Sequence, residues 1–164
     1  MAWSTTAPEL PSGSAWEQEK SVYGMANHWS LSGKLYIARL NGRQFAIKAE
    51  LTSDNGSYGT YYPPEKWTLR CDIGIVTGTA DTSFDVVKGT TTFYFVGEAG
   101  EGVNITVKVG GVGAAVAVQT ATFTAPALFG DILYLNVSGA AKQVTRVLLN
   151  VNGTAQEALV KANP

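Results

Sequence analysis

The chain has one cysteine, Cys71, and one histidine, His28, in 164 residues. A lone cysteine closes no internal disulfide, so nothing marks the fold as an oxidised, stapled scaffold. One cysteine and one histidine also rule out a conventional structural zinc site, which draws on several such ligands. Charge is scarce as well: 15% of residues are charged and the net charge is −1, against a usual share of about 25%. The basic side chains are scattered singly, which removes the electrostatic footprint that nucleic acid requires and argues against an acidic membrane surface. No apolar run approaches the roughly 20 residues of a membrane span, and the most apolar stretch, Val112 to Val118, is interrupted by Gly113. The opening Met-Ala-Trp-Ser-Thr-Thr-Ala-Pro has neither the basic start nor the apolar run of a secretion signal. Cytoplasmic synthesis is therefore expected, and the sequons at Asn104, Asn136 and Asn152 are read as incidental.

What the chain has instead is Gly, Thr and Val in short alternating runs. Around Thr90 to Val109, Phe93 and Phe95 fall on one side of one run. After a Gly-rich break at Gly97 to Gly102, Val103, Ile105, Val107 and Val109 fall on one side of the next. That period of two predicts an antiparallel hairpin with one buried face. Asn41-Gly42, between Leu35 to Leu40 and Phe45 to Leu51, predicts a two-residue type I′ turn. Trp67 to Val76 alternates Trp67, Leu69, Cys71, Ile73 and Ile75 against polar residues. A turn is expected at Gly78 to Asp81, then a strand to Val87. Ala114 to Phe123 reads as a small-residue strand with Val116 and Val118 inward, and Ile132 to Val137 with Val144 to Val151 as a last hairpin. Ala155 to Lys161 fits strand or helix. This last hairpin, with Leu-Tyr-Leu and Gly139-Ala140-Ala141, faintly parallels the Phe-Tyr-Phe hairpin. Strands at this spacing predict an all-β, antiparallel β-sandwich, jelly-roll-like, with a barrel as competitor. At this length, roughly 70% of the unfolded surface is buried, enough for one domain.

Residues 1–31 lack strand periodicity and carry Trp3, Trp16, Trp29, Pro8 and Pro11. They read as an extended N-terminal arm before a domain at 32–164, either laid over that domain or clasping a neighbour. Ser14 and Glu17 have capping-box spacing for a short helix at Trp16 to Met25. Trp3, Trp16, Val116 and Val118 are the candidate interface residues.

Enzymatic chemistry is poorly supplied. His28 reads as a packing or capping residue before it reads as a base, and Cys71, on an apolar strand face, as an inert thiol. Gly97, Gly100 and Gly102 precede no helix that would hold a phosphate. Glu50, Asp54, Glu65 and Asp72 around one loop, and Glu17 with Glu19, are the carboxylates from which a glycosidase pair would have to come. Asp54, Asn55 and Ser57 echo the start of a calcium loop without the carboxylate that completes it. The expectation is no catalysis, no metal and no cofactor. The best candidate binding site is the loop from Thr52 to Lys66, where Tyr58, Tyr61 and Tyr62 are stiffened by Pro63-Pro64. With Asp54 and Trp67 they offer ring faces and hydroxyls to a sugar or a protein. Trp67 also falls in register with the core face, and the loop has a plain alternative as a cap on the domain.

The unsignalled Met-Ala-Trp-Ser-Thr-Thr-Ala-Pro arm, followed by a Gly/Thr/Val-rich all-β body with one unpaired cysteine, resembles small virion proteins of tailed bacteriophages: tail, fibre or capsid-decoration components. The resemblance covers the whole chain in general character and transfers no individual residue. It implies a non-enzymatic structural or adhesive protein of the virion, homo-oligomeric and often trimeric, docking on other virion proteins through an arm or sheet surface. A carbohydrate-binding or receptor-binding module using the aromatic loop is the alternative, with a glycan as partner.

Overall fold

A computed structural model of the chain describes residues 2–26, 28–40, 42–56, 65–112 and 118–127, and the backbone of strands at 134–137, 140–143, 147–151 and 154–158. Among the described residues there is no helix. The first eight strands are β1 (Glu17–Ala26), β2 (Trp29–Arg39), β3 (Gln44–Asp54), β4 (Lys66–Ile73), β5 (Val76–Phe84), β6 (Gly89–Glu98), β7 (Asn104–Val112) and β8 (Gln119–Thr124). They form two four-stranded antiparallel sheets, ordered β1-β2-β3-β6 and β5-β4-β7-β8.

Alternation along the strands builds the core. Leu35, Ile37, Phe45, Ile47, Leu51 and Phe95 from the first sheet join Trp67, Leu69, Cys71, Ile105, Val107 and Phe123 from the second in one apolar cluster. All twelve are at most 1% exposed, and each such side chain contributes roughly 1.5–3 kcal/mol by leaving water. Phe84 of β5 meets Phe93 of β6 at 4.8 Å between ring centres, joining the sheets on one side.

The run Thr90 to Val109 is not a hairpin. Its two halves, β6 and β7, lie in different sheets, with β6 paired to β3 and β7 paired between β4 and β8. Alternation states which side chains are buried and says nothing about which strand lies alongside. Gly97 marks the crossing: a Cβ there would stand 2.8 Å from both the Phe45 and Phe95 rings.

The β2–β3 hairpin is present, but one residue longer than a two-residue turn gives. Arg39 pairs with Phe45, and the Leu40 amide donates to the Gln44 carbonyl at 2.9 Å. Gly42 takes φ 57° within it; Asn41 lies outside the described residues. The extra residue matters because a shift of one moves every side chain to the other face. With it, Ile37 sits opposite Ile47 and Leu35 opposite Ala49, all buried.

Trp67 to Val76 is not one strand either. Gly74, at φ 59°, and Ile75 form a two-residue loop between paired Ile73 and Val76. Ile75 is consequently 99% exposed, not a core residue. Gly78 to Asp81, expected as a turn, lies inside β5, where the register slips between Cys71 and Ile73. β8 starts at Gln119, and Val118 is 59% exposed and not inward; Val116 lies outside the described residues. Towards the C-terminus, β9 (Tyr134–Val137) pairs with β10 (Ala140–Gln143), and β11 (Val147–Val151) with β12 (Thr154–Ala158). Among the described residues the expected hairpin of Ile132 to Val137 with Val144 to Val151 is replaced by these two pairings, Ile132, Leu133 and 144–146 lying outside them, and 154–158 is strand.

The strands begin earlier than 32. Glu17–Ala26 is strand and not helix, with Val22 buried and Tyr23 and Met25 exposed in alternation. The capping-box spacing is a local signal that pairing with β2 overrides, and the Ser14 hydroxyl donates to the Arg39 carbonyl instead. Residues 2–16 lie on their own body. Ser4 exchanges two backbone hydrogen bonds with Tyr94 of β6, at 2.8 and 2.7 Å. The Trp3 ring lies 5.5 Å from that of Phe95, and its indole N–H donates to the Ala80 carbonyl of β5 at 3.3 Å. On the opposite flank Gln18, at φ 53° in a bulge of β1, donates to the Thr124 carbonyl of β8 at 2.7 Å and accepts from the Thr124 amide at 3.1 Å. One stretch of 16 residues thus ties the two sheets together along both flanks, which occupies backbone groups that edge strands otherwise leave open.

Candidate functional site

Two outer faces remain once the core is assigned. On the first sheet, cross-strand register sets Tyr36, Lys48 and Tyr94 in one row. Trp16 leans on this row, 6.1 Å from the Tyr94 ring centre. The Lys48 ammonium stands 4.2 Å from the Tyr36 ring centre and 5.5 Å from that of Trp16, a cation–π arrangement, and bonds Glu50 at 3.1 Å. Glu19 pairs with Lys34 at 2.8 Å and accepts from the Tyr36 hydroxyl at 3.0 Å. Those two bonds hold its carboxyl below the usual range, while Lys34 is raised by the same contact. Below the aromatic row lies a shallow groove of about 310 Å³ lined by Lys34, Glu50, Thr52, Thr90 and Thr92. Tyr23 and Met25, both 56% exposed, lie on the strand that flanks it. Above the row, Ala38 and Ala46 face outward by register yet are fully buried. The N-terminal segment is anchored beside them, at Tyr94 through Ser4 and at Arg39 through Ser14.

The second outer face is organised on Asp72, only 5% exposed. Its carboxylate takes Arg70 Nε at 3.1 Å, Lys108 Nζ at 2.8 Å and the Gly78 amide. Burial alone raises such a carboxyl, but the bonds from Lys108, Gly78 and Arg70 outweigh it and bring Asp72 down to about 2. The bulge in β5 is what turns the Gly78 amide toward it. Alongside is a groove of about 540 Å³ lined by Thr68, Arg70, Asp81, Ser83, Lys108 and Val118, with Gly110 as its floor. This face carries no ring among the described residues of its lining.

The residues singled out from sequence are not brought together. Trp67 is a core residue at 0% exposure, its indole N–H on Ser53 Oγ at 2.9 Å, so it presents no ring to a ligand. Asp54 shapes the start of its loop: it accepts from the Gly56 amide at 3.1 Å and pairs with Lys88 at 2.9 Å. Lys88 and Gly56 lower its carboxyl. Tyr58, Tyr61 and Tyr62 lie outside the described residues. Trp3 and Trp16 are half-buried against their own body. His28 is an exposed residue at φ 71° in the β1–β2 turn, following the paired Ala26 and preceding Trp29. Cys71 is buried, which pushes its thiol up to about 12. Among the described residues no three His, Cys, Asp or Glu side chains gather as a metal site, and no helix is long and apolar enough to cross a membrane.

The residues that sequence reasoning missed are Tyr36, Lys48 and Tyr94. The signal was there, since each is the wet member of an alternating strand, but their juxtaposition depends on the register of two pairings. No family model, curated protein or solved structure matches the chain.

Proposed function

We propose that this is a non-enzymatic structural protein of a virion, which assembles by contact between β-sheet faces. The two sheets are read as the layers of a β-sandwich. The chain changes sheet between β3 and β4, β5 and β6, and β6 and β7, the Greek-key manner of two-layer β domains, jelly-roll-like in that winding. The observation that carries the reading is large apolar side chains left on the surface of a body whose flanks are already tied: Ile75 at 99%, Val76 at 60%, Tyr23 and Met25 at 56%. Flanks tied by Gln18, Ser4 and Trp3 disfavour strand addition, so neighbouring subunits and other virion proteins dock on faces. The first sheet's outer face, which carries Tyr23 and Met25, and the β4–β5 turn, which carries Ile75 and Val76, are the surfaces offered. Cys71 buried with a raised thiol and Asp72 fixed by three donors support a non-enzymatic reading. Static light scattering at micromolar concentration tests it. A multiple of 17.3 kDa is expected for the chain, reduced by the Tyr23→Ser, Met25→Ser double variant; a monomer at every concentration would overturn it.

A second reading is favoured by the groove at Thr52, Thr90 and Thr92. Hydroxyls and the Lys34 and Glu50 side chains there, with the Tyr36 ring nearby, suit a polyhydroxyl ligand such as a glycan. A glycan array with Tyr36→Ala and with Tyr58, Tyr61 and Tyr62 all changed to Ala separates the two. Loss of binding in folded protein belongs to this reading alone.

A further inference from the structure

The groove over the second sheet holds more hydrogen-bonding capacity than the fixing of Asp72 consumes. Strand register arranges it in two rows. Ser83, Thr68 and Gly110 stand side by side in one, and Asp81, Arg70 and Lys108 in the next. The alternate residues Leu69, Cys71, Val107 and Val109 are buried in the core, so both rows face outward. Gly110 keeps the hydroxyl row open at one end: a Cβ there would stand 3.3 Å from Val118 and 3.5 Å from Thr68 Oγ1.

Asp72, 5% exposed, sets the position of the charged row by taking Arg70 Nε at 3.1 Å and Lys108 Nζ at 2.8 Å. Those bonds use one of the five N–H groups of a guanidinium and one of the three of an ammonium. Among the described residues no acceptor meets the two terminal nitrogens of Arg70, and the Arg70 and Lys108 side chains are 40% and 37% exposed. A guanidinium held at Nε and open at its end is a fork already set for a carboxylate, and strands mount it more exactly than a loop would. At the far end of the row Asp81, 61% exposed, meets the cluster only through Arg70 Nε at 3.7 Å, which leaves its oxygens to accept from hydroxyls.

We infer that this groove binds a sugar acid, one carboxylate on a polyhydroxyl frame. The carboxylate lies on Arg70 and Lys108, and the hydroxyls on Asp81, Ser83 and Thr68. A surplus of unspent donors calls for an acceptor-rich ligand, while the Asp81 carboxylate in the same row works against a second negative charge, so inorganic phosphate and sulfated chains are disfavoured. Val118, 59% exposed in the lining, offers apolar contact to the C–H face of a sugar ring. The volume of about 540 Å³ falls within the roughly 300–1,000 Å³ of small-molecule sites. The inference goes beyond the assembly reading and does not rest on it, and its site lies on the other sheet from the groove at Thr52, Thr90 and Thr92.

The test is amide shift mapping of the full chain by NMR, titrated to about 50 mM with sodium D-glucuronate and, separately, N-acetylneuraminate, beside glucose, acetate and phosphate. At least one of the sugar acids is expected to move the Thr68, Arg70, Ser83 and Lys108 amides along a saturating curve. Glucose and acetate, each supplying only part of the contacts, should bind at least about tenfold more weakly. Arg70→Lys keeps a cation for Asp72 and loses the fork, which should weaken binding roughly tenfold. Gly110→Val changes no polar group and should weaken binding by occupying the floor, with its own spectrum reporting that the sheet is folded. Silence of these amides with both sugar acids overturns the inference, as does glucose, acetate or phosphate binding as tightly as they do. Full affinity in either folded variant overturns it as well. Shifts confined to Thr52, Thr90 and Thr92 overturn it in favour of the first sheet's groove, and none of these outcomes decides whether copies of the chain associate.

Discussion

The two outer faces spend their polar groups in opposite ways. On the second sheet the charge is structural: Asp72 is buried and three donors converge on it, so Arg70 and Lys108 are committed. On the first sheet the charges are at the surface, Glu19 and Lys34 being about half exposed, and the order comes from rings and from a segment of chain laid across. A buried, fully bonded carboxylate fixes a local geometry, here the β5 bulge. An exposed ion pair fixes little, because water competes for both partners. The second face is therefore ordered around one buried charge, and the first around rings and the segment laid across it.

The comparison is broken most directly at Asp72. Asp72→Ala should cost about 2 kcal/mol in denaturant unfolding, since it leaves the Gly78 bulge amide without its acceptor and removes the partner of Lys108, while Arg70 keeps only Asp81 at 3.7 Å. The pH dependence sharpens this. Asp72 has a folded value of about 2, below its ordinary 3.8, so its contribution is complete well above 3.8 and disappears as pH falls through about 2. Wild type and Asp72→Asn should differ in stability at pH 6 and converge near pH 2; a constant difference would show that the carboxylate's charge is not what matters.

Trp3→Ala should cost roughly 1–2 kcal/mol, less than a fully buried aromatic would, and should expose residues 2–16 to limited proteolysis with the rest intact. Cleavage no faster than in wild type would mean the segment is held without its anchor. Gln18→Ala removes two bonds to the Thr124 backbone, for about 1 kcal/mol, and should speed amide exchange at Thr124 before other β8 amides. Lys48→Ala, on the same face, should cost only about 0.5 kcal/mol. A thermal melt in which Lys48→Ala proved as damaging as Asp72→Ala would erase the contrast between the faces.

How much of this was legible in the sequence follows from what each signal measures. Alternation found the buried positions Phe93, Phe95, Ile105 and Val107 without error, because burial is a property of a residue and its own strand. It misassigned their partners, because β6 and β7 separate at a Gly-rich break that reads the same whether the chain doubles back or crosses to another sheet. Ile75 continued the alternation of β4 on paper, while the backbone at Gly74 had already turned. β1 was hidden because Lys20, Ser21 and Gly24 interrupt its apolar pattern, and strand addition to β2 supplies what propensity lacks. The aromatic row on the first face was out of reach for a different reason: Tyr36, Lys48 and Tyr94 are far apart in sequence, and only the one-residue lengthening of the Leu40 to Gln44 turn sets the first two opposite each other.

Arg39 gives the molecule a mechanical character. It is 2% exposed, and its guanidinium donates to the carbonyls of Pro126, Arg43 and Ala99, while its own carbonyl accepts from Ser14. Burial lowers its pKa, with Glu101 and Glu17 pulling the other way. The segment that leads into β1 and the backbone that follows β8 are thus pinned to one side chain. A pull applied to the chain at Pro126 would arrive first at that knot and be shared at once between both sheets, instead of peeling β8 from its edge.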